Sequence, residues 1–223
     1  MGCVNPFFHY GAPVVLVPKE WNPVRSQGAD LPANVQIWMF ETNHGISRTV
    51  ELIRELAPNQ TLGIRHTPGG KPFLNGTAGF EFSISNQPGR ALIAISPVCP
   101  IGVDLERIDP RRFREGMLES HCTPLERDRL ENLSYSNKIE AFFELWVAKE
   151  AVYKALGLPI ALGEIEIKST NRGQDFVSHI PAMPGGPALI SLHRLVVPEG
   201  WVGALARVVG PQPSPHPKPE HLG

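Results

Sequence analysis

The sequence predicts an α+β fold, sandwich-like in its packing, with two pseudo-symmetric lobes that each combine a small antiparallel sheet and a packed long helix. Runs with strand alternation occur in both halves of the chain, and each half also contains a long run with helical spacing. The 223 residues are 42% apolar, which is enough for a substantial core. The predicted division is an irregular N-terminal arm, an N-terminal lobe, a C-terminal lobe and a disordered proline-rich tail, at 1–32, 33–98, 99–210 and 211–223.

The first half contains a strand, a helix, a hairpin and a further strand. The alternation of "NVQIWMF" (34–40) predicts a strand, and the spacing of "ISRTVELIRELA" (46–57) predicts a helix that ends before Pro58. "FEFSIS" and "RALIAIS" flank "NQPG", a combination typical of a β-hairpin. "IGVDLERI" (101–108) is the next predicted strand.

The second half is predicted to hold three helices and three strands. The helices are expected at about 111–119, 124–133 and 137–156, with Pro124 at a position where a helix can begin. "EIEIK", "ALISLHRL" and "WVGALARVV" are typical of strands.

Composition excludes several classes of function. The net charge of −1 disfavours a protein that binds duplex nucleic acid through phosphate contacts. The three cysteines are far apart, which excludes a disulfide framework and fits a reducing compartment. No apolar run reaches the ~18 residues that a membrane span needs, and the N-terminus lacks the pattern of a signal peptide. We therefore expect a cytoplasmic monomer with no nucleic-acid or membrane partner.

Two carboxylates stand out in the strand "IGVDLER". Period-2 alternation places Asp104 and Glu106 on one strand face, about 7 Å apart along the strand. Two solvated acids on an exposed sheet face would explain them. The alternative is a site for a hard cation such as Mg²⁺, which prefers carboxylate oxygens and completes its shell with water and phosphate.

A third carboxylate lies on the predicted helix "FFELWVAKEAVYKALGLP" (142–159). The helix is apolar on nearly all sides, which indicates packing rather than exposure. Glu150 could form an i, i+4 salt bridge with Lys154, but this pairing suits a wet helix face. A buried carboxylate needs a cation or a metal. If the helix packs against the strand described above, Glu150 converges with Asp104 and Glu106.

Other polar residues are unremarkable when each is taken alone. Lys71 in "PGGKPFL" is typical of a surface lysine on a tight turn, and Ser85 and Asn86 are typical of polar turn residues. Glu126 in "CTPLERDRL" fits an early-helix glutamate that the helix dipole favours.

Taken together and in order, four segments resemble one family. "GGKPFL", "FSISNQ", "PIGVDLE" and "FFELWVAKEAVYKALG" are similar to the successive motifs of the 4'-phosphopantetheinyl transferases of the surfactin-synthetase-activating type. The resemblance covers roughly residues 69–166. It implies a two-lobed fold with coenzyme A between the lobes, and transfer of 4'-phosphopantetheine to a serine of an apo acyl, peptidyl or aryl carrier protein, with release of 3',5'-ADP.

The resemblance also implies roles for individual residues. Mg²⁺, or Mn²⁺ in its place, would be held by Asp104, Glu106 and Glu150. Catalytic roles fall to Glu150, to Lys154 at the pyrophosphate and to Glu126, which would help to deprotonate the serine. The residues implied in coenzyme binding are Arg48, Lys71, Pro72, Ser85, Asn86, Lys149 and Lys154.

Two departures from the family pattern bear on coenzyme affinity. Asn86 stands where the family usually has a histidine after the serine, so a cationic donor is replaced by a neutral one. The basic segment before the first long helix is short, which leaves Arg48 and Arg54 as candidates for the 3'-phosphate. Two rival hypotheses remain: a non-catalytic relative that binds a partner or nucleotide, and a metal-dependent phosphohydrolase that cleaves coenzyme A without a carrier.

Overall fold

The computed structural model describes residues 22–25, 27, 35–42, 63–66, 70, 72–75, 80–97, 99–169, 175–180 and 189–209. The helices are α1 (Gly116–His121), α2 (Pro124–Glu131) and α3 (Tyr135–Leu156). The strands are β1 (Asn22–Pro23), β2 (Gln36–Thr42), β3 (Gly63–His66), β4 (Pro72–Asn75), β5 (Glu81–Gln87), β6 (Gly89–Ser96), β7 (Ile101–Arg107), β8 (Glu166–Ser169), β9 (Asp175–His179), β10 (Ile190–Arg194) and β11 (Trp201–Val208).

Two antiparallel sheets form the framework. The first has the strand order β1-β2-β6-β5 and the second β7-β11-β10-β9-β8, while β3 and β4 form a separate hairpin. The edge strands β5 and β7 lie side by side, but serine side chains rather than ladder bonds join them. The hydroxyl of Ser83 accepts a hydrogen bond from the Val103 amide (3.0 Å), and that of Ser85 accepts one from the Leu105 amide (3.1 Å). This seam between the sheets positions the site described below.

The strand β7 is buried on both faces. Val103 and Leu105 join an apolar cluster with Ile37 and Leu92 of the first sheet, so this face packs between the sheets. The opposite face packs against α3 so closely that a Cβ atom at Gly102 would collide with the backbone of Ala151 and Ala155. The residues that alternate with Val103 and Leu105 therefore face the helix.

The helix α3 packs along its length and ends at a glycine. It packs on the second sheet through Val147, Ala151 and Ala155. Gly157 ends it in the left-handed conformation (φ 63°), which glycine adopts without steric cost. None of the helices in the described residues is long and apolar enough to cross a lipid bilayer.

The α+β prediction is confirmed, and so are the hairpin and the strands β2, β7, β10 and β11. The helix predicted over 111–119 begins only at Gly116, because the Asp109 carboxylate accepts a bond from the Arg111 amide and the Asp109 carbonyl accepts one from Arg112, which makes a turn. The predicted strand "EIEIK" (164–168) is found as β8, which begins at Glu166 because Glu164 ends a 3-10 turn. The strands β1, β3, β4 and β9 were not predicted. The predicted helix over 46–57 and the tail after residue 210 lie outside the described residues, and the lobe boundaries stay predictions.

Candidate active site

The structure brings Asp104, Glu106 and Glu150 into one electrostatically coupled group. Asp104 and Glu106 lie on the face of β7 that packs against α3, and both are buried. Burial raises the pKa of Glu106, and the neighbouring carboxylate of Asp104 raises it further. Burial likewise raises the pKa of Glu150, with added repulsion from Asp104 and then from Glu106. The three acids are therefore close enough for their charges to influence one another, and their joint role as metal ligands stays a prediction.

Asp104 is at the centre of this group. Its Oδ1 atom accepts hydrogen bonds from the ammonium of Lys154 at 2.7 Å and from the hydroxyl of Ser85 at 2.8 Å. Its Oδ2 atom is buried and has no hydrogen-bond partner. Lys154 also donates to the carbonyl of Ile84 at 3.4 Å. Among the ion pairs of the described residues, the i, i+4 bridge from Lys154 to Glu150 does not occur, because Lys154 reaches across to β7 instead.

Glu106 is held by two donors that the sequence did not single out. Gln87 Nε2 donates to one carboxylate oxygen at 2.9 Å, and Arg112 Nη1 donates to the other at 2.6 Å. The guanidinium of Arg112 lies 5.4 Å from the ring centroid of Trp146 and 5.8 Å from that of Phe143, both on α3. Nothing in "DPRRFREG" distinguishes Arg112 from its neighbouring arginines, so only the folded loop could reveal it.

Lys149 and Glu126 are paired in the core, away from the acids. Lys149 is 0% exposed, and its ammonium donates to Glu126 Oε2 at 2.5 Å and to the carbonyls of His121 and Leu162 at 2.7 and 3.1 Å. Burial lowers the pKa of Lys149, and the bond to Glu126 opposes that shift. All the donor hydrogens of Lys149 are in use. These contacts give Lys149 a structural role, and its part in coenzyme binding stays a prediction.

Glu126 has a structural role for the same reason. As the N3 residue of α2 it forms a reciprocal capping box with Thr123, whose amide donates to Oε2 at 2.8 Å. Its Oε1 atom accepts a bond from the amide of Ile167 at 2.9 Å. Both oxygens are thus committed in a side chain that is only 3% exposed. This geometry supports the structural alternative that the early-helix position indicated, and the proton-accepting role stays a prediction.

The remaining candidates lie around β5 or outside the described residues. Ser85 faces Asp104, and Asn86, the next residue, points to the opposite face of the strand. The Oδ1 atom of Asn86 is buried and has no hydrogen-bond partner. Pro72 begins β4, where its backbone is opposite His66. Lys71 and Arg48 lie outside the described residues.

The coupled acids fit a divalent cation in their donor chemistry. Carboxylate oxygens are the ligands that Mg²⁺ and Mn²⁺ prefer, and the partnerless Oδ2 atom of Asp104 is a buried acceptor that a cation would satisfy. Across the described ranges, no group of three or more His, Cys, Asp or Glu side chains is arranged to hold a metal directly. Lys154 and Arg112 supply the positive charge that Asp104 and Glu106 contact in the structure.

A cleft of about 600 Å³ lies at the C-terminal end of β7. Its lining includes Arg107 and Ile108, which directly follow Glu106, and Pro88 and Gly89, which follow Gln87. Asp104, Glu106 and Glu150 are not among the residues that line this cleft, so it adjoins their strand without containing the acids.

Comparison with known proteins identifies the family of the chain. Residues 100–206 match the family model described as the 4'-phosphopantetheinyl transferase superfamily. The holo-(acyl-carrier-protein) synthase of Streptococcus suis is 34% identical over 87 residues, which cover 36% of this chain and 73% of that protein. The chain belongs to the 4'-phosphopantetheinyl transferase superfamily. The family predicted from the sequence is thus confirmed.

Two further members of the superfamily match a longer part of the chain. The 4'-phosphopantetheinyl transferase HetI of Nostoc sp. is 34% identical over 141 residues, which cover 61% of this chain and 56% of that protein. The 4'-phosphopantetheinyl transferase gsp of Aneurinibacillus migulanus is 32% identical over 100 residues, which cover 45% of this chain and 40% of that protein. The chain therefore spans about half the length of these two curated relatives. The region matched to the superfamily model contains Asp104, Glu106 and Glu150.

Proposed function

We propose that this chain transfers the 4'-phosphopantetheine group of coenzyme A to a serine of an apo acyl, peptidyl or aryl carrier protein, in the presence of Mg²⁺. The observation that carries the proposal is the coupled group of Asp104, Glu106 and Glu150, in which a buried carboxylate oxygen has no partner. A scaffold protein has no physical reason to bury several acids together, since each uncompensated charge destabilises the fold. The superfamily membership supports the same reaction.

Phosphoryl transfer needs positioning and charge neutralisation more than covalent help from the protein. The serine hydroxyl oxygen forms a bond to the β-phosphorus of coenzyme A, the bond from that phosphorus to the bridging oxygen breaks, and 3',5'-ADP departs with the electron pair as the serine proton is released. Asp104 and Glu150 would hold Mg²⁺ together with Glu106, and the bound ion would neutralise the charge that develops on the phosphate oxygens.

The protein's own side chains supply orientation around these acids. Ser85 fixes Asp104 Oδ1 by a hydrogen bond, so the free Oδ2 atom keeps one direction. Lys154 is on the same oxygen and is partly exposed, so it can reach a phosphate oxygen with a small change of side-chain angle. Lys71 is proposed for a coenzyme phosphate on the family pattern. The hydrogen bond from Lys149 to Glu126 joins α3 to α2.

The decisive experiment is intact-mass measurement of apo carrier proteins after incubation with the protein, coenzyme A and Mg²⁺. One acyl, one peptidyl and one aryl carrier should be tried, each with a serine-to-alanine control. We expect at least one carrier to gain the mass of a single phosphopantetheine, and its control to gain none. Release of 3',5'-ADP with no change in any carrier would indicate the phosphohydrolase instead. Neither product would indicate a non-catalytic relative.

A further inference from the structure

Arg112 is a charged residue at the site to which the family pattern assigned no role. Its guanidinium donates to Glu106 Oε2 at 2.6 Å, yet its own side chain is 40% exposed, whereas that of Glu106 is 9% exposed. The rings of Trp146 and Phe143 lie beneath the guanidinium, at 5.4 and 5.8 Å. One side of Arg112 thus contacts a buried acid while the other side is open to solvent.

The aromatic contacts keep Arg112 beside the acids whichever anion it binds. Trp146 lies one helical turn before Glu150 on α3, so the ring under Arg112 and the third acid share one face of the helix. A guanidinium stacked on a ring can turn its donors within the plane without losing the stacking. Exchange of one oxygen partner for another therefore needs no rearrangement of the backbone.

Arg111, the preceding residue, is different in each respect. It is 87% exposed and pairs with Asp109 two residues earlier, through Nε and Nη2 at 3.0 Å each. It has the same charge and the same loop but contacts none of the coupled acids. Arg111 is therefore a matched control for any effect of Arg112 that arises from net charge alone.

We propose that Arg112 is an exchangeable counter-ion, which holds Glu106 while no divalent cation is bound and turns to an anionic oxygen of the coenzyme once the cation takes Glu106. The inference rests on the proposed function for the identity of the coenzyme. The physical reason is charge balance: Glu106 is buried and needs a positive partner, but a guanidinium and a divalent cation on one carboxylate repel each other. The displaced guanidinium then faces the negative charge that arrives with the ligand.

The first claim, that Arg112 competes with a divalent cation for Glu106, is tested without coenzyme. Mn²⁺ is titrated into the protein, and its binding is followed by electron paramagnetic resonance. In Arg112→Gln the competitor for Glu106 is gone, so we expect Mn²⁺ to bind about tenfold more tightly than in the unmodified protein, the size of effect that one charge-assisted hydrogen bond gives. Arg111→Gln should leave the affinity unchanged, and Glu106→Gln should weaken it. Circular dichroism checks that each variant is folded.

The second claim is tested by titrating coenzyme A at saturating Mn²⁺. Arg112→Gln should weaken coenzyme binding about tenfold, again on the scale of one charge-assisted bond. Arg112→Lys, which keeps the charge and loses the planar donors, should lie between, and Arg111→Gln should have no effect. Opposite changes in the affinities for Mn²⁺ and coenzyme within one variant are a result that a merely structural arginine would not give.

Unchanged or weaker Mn²⁺ binding in Arg112→Gln would overturn the inference, as would unchanged coenzyme binding in that variant. If the unmodified protein binds Mn²⁺ but no coenzyme A, the proposed function fails, and the proposed turn of Arg112 to the coenzyme fails with it. The Mn²⁺ titration then still decides whether Arg112 competes for Glu106. The two failures are therefore distinguishable.

Discussion

Two lysines of α3 each pair with a buried carboxylate, and the two pairs differ in one respect that matters for function. Lys149 and Glu126 form the closed pair, in which other protein groups satisfy both the ammonium and the carboxylate. Lys154 is 25% exposed, and its partner Asp104 keeps one buried oxygen without a donor. A buried ion pair is therefore structural when every donor and acceptor is satisfied, and is available for exchange when one is not.

The largest expected effect would come from breaking the closed pair. Lys149→Ala leaves the Glu126 carboxylate buried without its cation, and we expect the free energy of unfolding to fall by about 3–5 kcal/mol. Lys154→Ala should cost less, because Lys154 is partly exposed, so water can reach the position that its ammonium leaves beside Asp104. Urea unfolding followed by circular dichroism measures both. Equal losses in the two variants would mean that the pairs do not differ as described.

Lys154 and Asp104 form the open pair, in which Asp104 Oδ2 has no partner. Substitutions at this pair and at the neighbouring Glu150 should lower the transfer activity. Asp104→Ala and Glu150→Ala are expected to lower carrier modification at least about 100-fold, the order of effect for one missing electrostatic stabiliser of a transition state. Both variants should remain folded, because each removes an acid whose burial is incompletely compensated. Mass-detected transfer and circular dichroism on the same samples provide the check. Full activity in either variant would remove that residue from the proposed metal site.

The sequence predicted the acids better than it predicted their partners, and the reason is geometrical. Strand alternation has a fixed period, so Asp104 and Glu106 had to share a face, and the apolar character of α3 required that Glu150 be packed. The choice between Lys149 and Lys154 depends on the rotation of α3 against the sheet, which no local pattern encodes.

Some signals in the sequence were present but underused. Thr123 and Glu126 have the spacing of a capping box, which already favours a structural role for Glu126. Arg112 lies in an irregular loop where sequence spacing has no fixed meaning in space, so its contact with Glu106 emerges only from the fold. The residues that periodicity governs were predictable, and those that tertiary contacts govern were not.

A smaller effect is expected when the open pair loses its cation. Lys154→Ala should weaken coenzyme A binding about 10- to 150-fold, because a charge-assisted contact to phosphate contributes about 1.5–3 kcal/mol. Calorimetric titration at saturating Mg²⁺ measures it. Lys138→Ala is a suitable control, since Lys138 lies on the same helix and, within the part of the chain that the structure describes, forms its ion pair with Glu115 at 3.7 Å. Equal affinities in the unmodified protein and Lys154→Ala would leave Lys154 as a partner of Asp104 alone.

The smallest expected effect tests whether the second partnerless oxygen belongs to the open site. Asn86 Oδ1 is buried without a donor, as Asp104 Oδ2 is, but it lies on the other face of β5. The family usually has a histidine here, so Asn86→His should restore a cationic donor to a coenzyme phosphate. Exchanging a neutral hydrogen bond for a charge-assisted one is expected to tighten coenzyme binding by about 1 kcal/mol.

The pH dependence gives this last prediction its sign. Imidazole is protonated below its reference pKa of about 6.5, and a nearby phosphate favours the protonated form, so the gain should be larger at pH 6 than at pH 8. Dissociation constants of coenzyme A for both proteins at the two pH values decide the matter. Equal or weaker binding at both would mean that the Asn86 side of β5 does not face the phosphate, or that the ring does not fit the pocket that Asn86 occupies. In either case the partnerless oxygen of Asn86 would be a packing defect, and Asp104 Oδ2 alone would mark the open site.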